Sequence, residues 1–473
     1  MTGPTSDVST GSFGAFVARA QQAGRLVVQP RMGVSDPSAM RAGLLATRDA
    51  AATTVGTITL DSYTRMGDNR NAQAALADGI ELNGYPIVAH TPAVTRSVLD
   101  GVAGPDFPVQ VRHGSPCPEP IVAALIEAGL HATEGGPVSY CLPYSRMPLA
   151  ESIPNWARSC DLLAEARTIG AEPHVESFGG CMMGQLCPPG LLVALSVLEC
   201  LFFRQHGIRS VSLSYAQQTN PEQDVEAVLA LRRLAARWLP DVEWHIVVYT
   251  YMGVYPRTPD GASRLLEEAA RLAVRTGAAR LIVKTVAEGY RIPTFAENVA
   301  ALETAALAAE QCLTIAGDGA DSGIHAEASA LIEAVLDLSP DLGTALATAF
   351  RRGYLDVPYC LHPDNAGKAR SYLDGTGRLQ WSSVGSMPIR GIVGPSNPAG
   401  LTAAGLLASL SYVERTYDNA SLEQEYQAEY PTRPLVHRSI PTAPPRAGDS
   451  PGSTGDDRDP DPGDRSPAAS QSA

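Results

Sequence analysis

With 473 residues, 44% of them hydrophobic, and 43 Gly and 37 Pro, the chain can build one large domain with extensions or two to three domains. A net charge of -14 and a pI near 5.1 exclude the basic footprint of a nucleic-acid binder, and 6% aromatic content argues against stacking platforms for single strands. No apolar run reaches the roughly 18 residues of a membrane span. The first ten residues lack a secretory signal pattern, and the eight cysteines form no CxxC pair, so a cytoplasmic protein with reduced thiols is expected.

In chain order, residues 1–24 hold a short amphipathic helix, FGAFVARAQQAG, read as an N-terminal helical arm. From 25 to about 292, apolar, β-branched runs alternate with helical stretches. The runs are LVVQPRMG, TVGTITLDSYTR, PIVAH, PVQVRHGSP, ATEGGPVSY, HVESFGG, SVSLSYAQQ, HIVVYTYMG and LIVKTVAE. Between them lie helices such as MRAGLLATRDAA, PEPIVAALIEAG, GLLVALSVLECLFFRQHG and DVEAVLALRRLAARWL, several ending in Gly. Strands separated by helices pair in parallel, and about 260 residues of this alternation is the size of a (β/α)8 TIM barrel. Nine candidates compete for eight places, with PIVAH and ATEGG the least strand-like. Residues 293–440 read as an α-rich C-terminal extension packed on the barrel, with two helices (298–313 and 326–338) and a loop-rich stretch at 353–377. Residues 441–473 are nearly all Pro, Gly, Ser, Asp and Arg, a composition that buries no core and predicts a disordered tail.

The strand candidates end in polar residues. That is how parallel strands deliver side chains to a pocket at their carboxyl ends. Arg31, Arg65 and Arg112 each read as closing an apolar strand, and three guanidinium forks in one pocket suit a substrate with two carboxylates. Structural ion pairs at the rim are the competing reading. Glu134 and Glu176 stand where a carboxylate can meet an amino group or accept a proton, or can serve structure alone. Tyr140 and Tyr144 can donate hydroxyls or simply pack. His113 is a candidate base, hydrogen-bond donor or rim residue. Lys284 can form a Schiff base, as in aldolases, or pair with Glu288. GxGxxG opening a helix, GxxxxGK[ST], HExxH and paired CxxC are absent from the sequence, so no metal site is expected. The stretch GGCMMGQLCPPG is rich in glycine and sulfur. It can let backbone approach a large flat ligand or serve packing.

Taken together, LVVQPRMG, TLDSYTR, LNGYPIV, VQVRHGSP, TEGGPVSYCLPYSR, ESFGGCMMGQLCPP, SYAQQTN, YTYMGVYPRT, VKTVAEGYRIPT and PDNAGKAR resemble the catalytic epsilon (E) subunits of glutamate mutase (methylaspartate mutase) over roughly residues 10–435. The resemblance implies an adenosylcobalamin-dependent radical isomerisation of L-glutamate to (2S,3S)-3-methylaspartate. It implies a small cobalamin-binding sigma (S) subunit whose DxHxxG histidine ligates cobalt, and an E2S2 assembly containing a homodimer of this chain. The sequence itself has no DxHxxG. Carried over by position, Arg31, Arg65, Arg112, His113, Glu134, Tyr140 and Tyr144 resemble substrate contacts. Glu134, Glu176 and His113 take the catalytic places, and Gly33, Pro143, Tyr255, Lys284, Glu288 and Ile292 resemble cofactor contacts. Ala89 stands where Asn is expected and Tyr255 where Phe is expected. A lyase or aldolase using Lys284, or a non-catalytic mutase-like binding subunit, are the alternatives.

Overall fold

The structure is a computed structural model that describes residues 12–182, 186–312, 321–394 and 402–429, with side chains to 420. Residues up to Glu425 form one compact unit; a second begins at Tyr426, and only its first four residues, the end of a helix, are described.

The eight strands are β1 (Val27–Gln29), β2 (Gly56–Thr59), β3 (Val109–Arg112), β4 (Ala132–Gly135), β5 (His174–Ser177), β6 (Ser210–Ala216), β7 (Glu243–Tyr249) and β8 (Arg280–Ile282). They form one parallel sheet in the order β1-β8-β7-β6-β5-β4-β3-β2, and the bridge between Val28 and Thr54 closes it into a barrel. The fold is a (β/α)8 barrel. Its helices are α1 (Phe13–Gln22), α2 (Pro37–Arg48), α3 (Ser62–Arg65), α4 (Asn69–Ala77), α5 (Pro92–Leu99), α6 (Glu119–Glu127), α7 (Leu149–Glu165), α8 (Pro189–Gln205), α9 (Pro221–Trp238), α10 (Pro259–Thr276) and α11 (Phe295–Glu310). Local sequence sets their ends. Asp36 caps α2 ahead of Pro37, Thr294 and Glu297 form a reciprocal capping box on α11, and Gly277 leaves α10 at a φ of 67°.

Of the nine strand candidates, PIVAH is the extra one. Tyr85 makes a single bridge to Leu60, but Pro86 has no N–H to continue a ladder. The chain turns instead, with Ala89 and His90 both donating to the Pro86 carbonyl at 2.9 and 3.1 Å. ATEGG supplies β4, with Glu134 in register beside Glu176 of β5.

The first helix is a floor rather than an arm. Phe13, Phe16, Val17 and Ala20 of α1 pack with Val27, Val55, Ala132 and Ala279 at the amino ends of the strands. The Phe13 ring stacks on His174, and the Arg280 guanidinium lies 5.0 Å from its centroid. Beyond the barrel come α12 (Ile324–Leu336), α13 (Leu342–Arg352), β9 (Arg370–Leu373), β10 (Leu379–Ser383), α14 (Ala403–Leu410) and α15 (Tyr412–Glu429). The stretch expected to be loop therefore contributes β9 to an antiparallel hairpin with β10, and the sequence reading passed over α13, α14 and α15. Helices α12 and α13 pack on α8. That covering explains why every residue from Pro189 to Phe203 is buried and why the α8 sequence is apolar all round. Among the described residues no helix is long and apolar enough to cross a membrane. The tail at 441–473 lies outside the described residues.

Candidate active site

The middle of the barrel is polar. Arg280, the first residue of β8, is fully buried and donates to Gln29, to the Glu176 carboxylate and, at 2.9 Å, to Ser212 Oγ. Its Nε points at His245 Nε2, 3.3 Å away. Glu176 also accepts from Gln110 and Ser212, each at 3.3 Å, and from the Tyr249 hydroxyl. A charge buried at this depth costs several kcal/mol unless paired. The Arg280–Glu176 pair and its amide and hydroxyl ring meet that demand.

One layer higher, at the carboxyl ends of the strands, lies a second cluster. Arg112 donates from Nε to Glu134 Oε2 at 2.7 Å and from Nη2 to the Tyr249 hydroxyl at 3.3 Å. The Tyr249 hydroxyl lies within reach of both carboxylates, Glu134 Oε2 at 2.8 Å and Glu176 Oε1, and its single proton serves one of them at a time. Tyr140 donates to Glu134 Oε1. Arg112, Glu134, Tyr140 and Tyr249 are all at most 4% exposed. Arg112 Nη1 is buried and has no hydrogen-bond partner among the described residues.

His113 is adjacent. Its Nδ1 accepts from the Ser115 N–H at 3.0 Å, and its ring lies between Trp156 and Tyr140. Burial pushes its pKa down to about 3, so the ring is neutral at neutral pH. With Nδ1 accepting, the ring proton sits on Nε2, which is buried and has no partner among the described residues. The geometry therefore presents His113 as a hydrogen-bond donor; of the three roles open to it in the sequence, this one fits.

Arg65 does not close a strand. It ends the short helix α3, six residues beyond β2, and its buried Nε has no partner among the described residues. Asp61 caps that helix through the Tyr63 and Thr64 N–H groups. Arg31 lies two residues past β1 and donates from Nη1 to Glu288 Oε1 at 2.9 Å. Lys284, two residues past β8, donates to the same oxygen at 3.1 Å and lies 5.2 Å from the centroid of the Tyr255 ring. Burial, against the pull of Glu288, lowers Lys284 to about 8. The carboxyl of Glu288 is held below its usual range because Lys284 and Arg31 outweigh its own burial. The Tyr255 hydroxyl is buried without a partner among the described residues.

Gly33 is required where it stands, since a Cβ there would lie 2.1 Å from the Thr59 carbonyl oxygen. Pro143 and Tyr144 line a cleft of about 580 Å³ with Met66, Arg146, Tyr359 and His362. Tyr144 is partly exposed, and Ile292 stands out at 66% exposure. The barrel thus brings Arg112, His113, Glu134 and Tyr140 into one contact cluster, joins Arg31, Lys284, Glu288 and Tyr255 into another, and leaves Ile292 on the surface.

The sequence reading carries Tyr249 only as one of the polar strand ends, with no role assigned, and leaves Arg280 out. Tyr249 ends β7, and its position after an apolar strand is the signal that marks it. Arg280 begins its strand and carries no such mark. The glycines at 179 and 180 serve packing: a Cβ at Gly180 would sit 1.7 Å from the Ser214 carbonyl oxygen, and one at Gly179 would meet α8 backbone. Met183, Gly184 and Gln185 of the same stretch lie outside the described residues.

The family model "Methylaspartate mutase E chain (MutE)" matches residues 9–403. The chain belongs to this family. Among similar relatives is the glutamate mutase epsilon subunit of Halobacterium salinarum, 32% identical over 391 residues, covering 79% of this chain and 80% of that protein. The glutamate mutase epsilon subunit of Haloarcula marismortui is 31% identical and covers 77% of each chain. That of Escherichia coli O157:H7 is 29% identical, covering 80% of this chain and 81% of its own. The matched stretch takes in the floor helix, all eight strands of this mutase-family chain and both clusters.

Proposed function

We propose that the chain is the catalytic subunit of an adenosylcobalamin-dependent isomerase that converts L-glutamate to (2S,3S)-3-methylaspartate. The observation that carries this reading is the unspent hydrogen-bonding capacity at the mouth of the barrel. Arg112 Nη1, Arg65 Nε and His113 Nε2 are buried donors without partners among the described residues. Leaving buried donors unmade costs about 1–3 kcal/mol each, a cost that two substrate carboxylates would relieve. Glu134 supplies the opposite charge, for the amino group. Arg31 adds charge at the rim, and Tyr140 and Tyr144 border the same space. Glu176 acts from the layer below through Tyr249.

The residues also fit the cofactor. The orphaned Tyr255 hydroxyl and the Lys284–Glu288 pair offer donor and acceptor to a hydroxyl-rich ligand. Tyr63, Met66, Tyr144, Val254, Val286, Tyr290, Ile292 and Leu361 are exposed apolar residues on or near the loops of this end, suited to a large macrocycle. Gly33, Pro143, Tyr255, Lys284, Glu288 and Ile292 would hold the group. When bound, adenosylcobalamin supplies homolytic hydrogen abstraction. The protein's own part is to fix the substrate by both ends, hold it in place while its carbon skeleton rearranges and exclude water from the buried cluster.

With no DxHxxG in the chain, the lower cobalt ligand would come from a small sigma subunit in a cytoplasmic E2S2 assembly. Burial lowers Lys284 to about 8, but its pair with Glu288 over the Tyr255 ring pulls the other way and leaves it mainly ammonium at neutral pH, which fits holding a ligand better than Schiff-base chemistry. The test is turnover of L-glutamate by the purified chain with and without a DxHxxG-bearing sigma subunit and adenosylcobalamin. Activity is expected only with both. Full activity from the chain alone, or borohydride trapping of substrate on Lys284, refutes the proposal.

A further inference from the structure

Helix α8 is buried from Pro189 to Phe203, and Glu199 is the only Asp, Glu, Lys or Arg in that run. The Glu199 carboxylate is fully buried, and among the described residues no cation pairs with it. Its partners are four neutral donors. Oε1 accepts from the Val138 and Ser139 N–H groups at 3.2 and 2.9 Å. Oε2 accepts from Ser139 Oγ and Ser177 Oγ, both at 2.9 Å. Ser177 Oγ in turn accepts from the Gly179 N–H at 3.0 Å. The fit leaves no slack, since a Cβ at Gly136 would lie 2.0 Å from Glu199 Oε1.

One carboxylate therefore joins two turns, the one after β4 and the one after β5. A leucine would suit an apolar helix equally well for packing. What it lacks is acceptors for the four groups that donate to Glu199, two of them backbone N–H groups. The first of these turns carries Tyr140 immediately after Ser139, and Tyr140 donates to Glu134. The Glu134 strand and its neighbour β5 are the two strands whose ends Glu199 ties together.

We propose that Glu199 is a positioning residue, which acts through the 136–140 turn to hold the Tyr140 hydroxyl on Glu134. The proposal rests on the functional reading above for its activity arm. Glu199→Gln keeps the shape of the side chain but turns an N–H pair toward donors. In the assembled enzyme it is expected to lower kcat/KM for L-glutamate at least tenfold. In a Tyr140→Phe background, where the hydroxyl being positioned is gone, the same change is expected to cost less than twofold. Amide exchange at 136–141 should quicken at least tenfold, with β6 and β7 unchanged.

Equal losses in the two backgrounds mean that Glu199 does not act through Tyr140, and an unchanged kcat/KM means that it positions nothing; either overturns the proposal. If Glu199→Gln does not fold, Ser139→Ala and Ser177→Ala each remove one donor and leave the carboxylate. Non-additivity of Ser139→Ala with Tyr140→Phe then supports the proposal, and additivity overturns it. If the wild-type assembly fails to turn over L-glutamate, the functional reading falls by itself. Exchange at 136–141 in Glu199→Gln then decides this one, with unchanged protection overturning it.

Discussion

Arg112→Lys separates the guanidinium fork from its charge. Arg112 uses Nε on Glu134 at 2.7 Å and Nη2 on Tyr249 at 3.3 Å, and holds Nη1 buried and unpartnered. A lysine has one nitrogen. If it keeps the Glu134 contact, it gives up both the Tyr249 contact and the place of Nη1. The charge beside Glu134 survives, so the fold should survive with it. In the proposed role, what is lost is a charge-assisted bond to a substrate carboxylate, about 1.5–3 kcal/mol. At about 1.4 kcal/mol per decade, kcat/KM for L-glutamate should fall by roughly tenfold to a hundredfold. The assay is steady-state turnover by the chain with its sigma partner and adenosylcobalamin, with circular dichroism to check the fold. Arg158→Lys is the control. Arg158 is on the outer side of α7, its side chain is 56% exposed, and it pairs with Glu119 at 2.9 Å. Such surface pairs contribute about 0–1 kcal/mol to stability, so its kcat/KM should stay within about twofold. Wild-type kcat/KM for Arg112→Lys, or an equal loss for Arg158→Lys, would refute the carboxylate-binding role and leave a structural ion pair.

Tyr249→Phe removes the hydroxyl that serves Glu176 Oε1, which has no other donor among the described residues. Urea unfolding should show a loss of about 1–3 kcal/mol, and an unchanged midpoint and slope would contradict the bridging role. Lys284, lowered to about 8 mainly by burial, should give a pH–rate profile that falls as pH rises through about 8, because the ammonium form holds the ligand. Stability moves the other way. Between pH 8 and the roughly 10.5 of an unfolded lysine, the unfolded chain binds more protons, so the contribution of Lys284 makes stability rise with pH. Lys284→Arg should remove the limb near 8, and a limb that persists would assign it to another group. Truncation after residue 440 should leave melting temperature and turnover nearly unchanged, since the segment beyond has little to bury; a large loss of either would overturn that reading.

The barrel was legible because its signal is periodic. Apolar β-branched runs separated by amphipathic helices have few other solutions. The failures have physical causes. PIVAH has strand composition, but Pro86 interrupts the ladder that composition suggests. Arg65 follows β2 in sequence, yet Asp61 starts a helical turn first and moves it to the rim. The hairpin of β9 and β10 was hidden because a four- and a five-residue strand joined by a Gly-containing turn look like loop. In the site, Arg112, Glu134 and Tyr140 could be named from strand ends, but not their mutual geometry. Tyr249 and Arg280 were invisible as partners because their roles depend on which strands the barrel brings opposite each other, and β7 and β8 lie more than 100 residues from Glu134 in the chain.

That long-range closure also accounts for an unusual interior. Barrel interiors are ordinarily filled by branched apolar side chains. Here Gln29, Gln110, Glu176, Ser212, His174, His245 and Arg280 occupy the middle, all buried. An apolar filling would pack as densely but could not direct anything above it. Arg280 fixes Glu176 from below, Glu176 fixes the Tyr249 hydroxyl, and Tyr249 reaches Glu134, which Arg112 and Tyr140 hold from the sides. Each link is a hydrogen bond in a low-dielectric space, where a satisfied network is rigid and a broken one is costly. The floor helix belongs to this arrangement, because the Phe13 ring closes His174 and Arg280 off from solvent. The electrostatics of the mouth thus depend on a stack of polar residues that starts at the opposite end of the barrel.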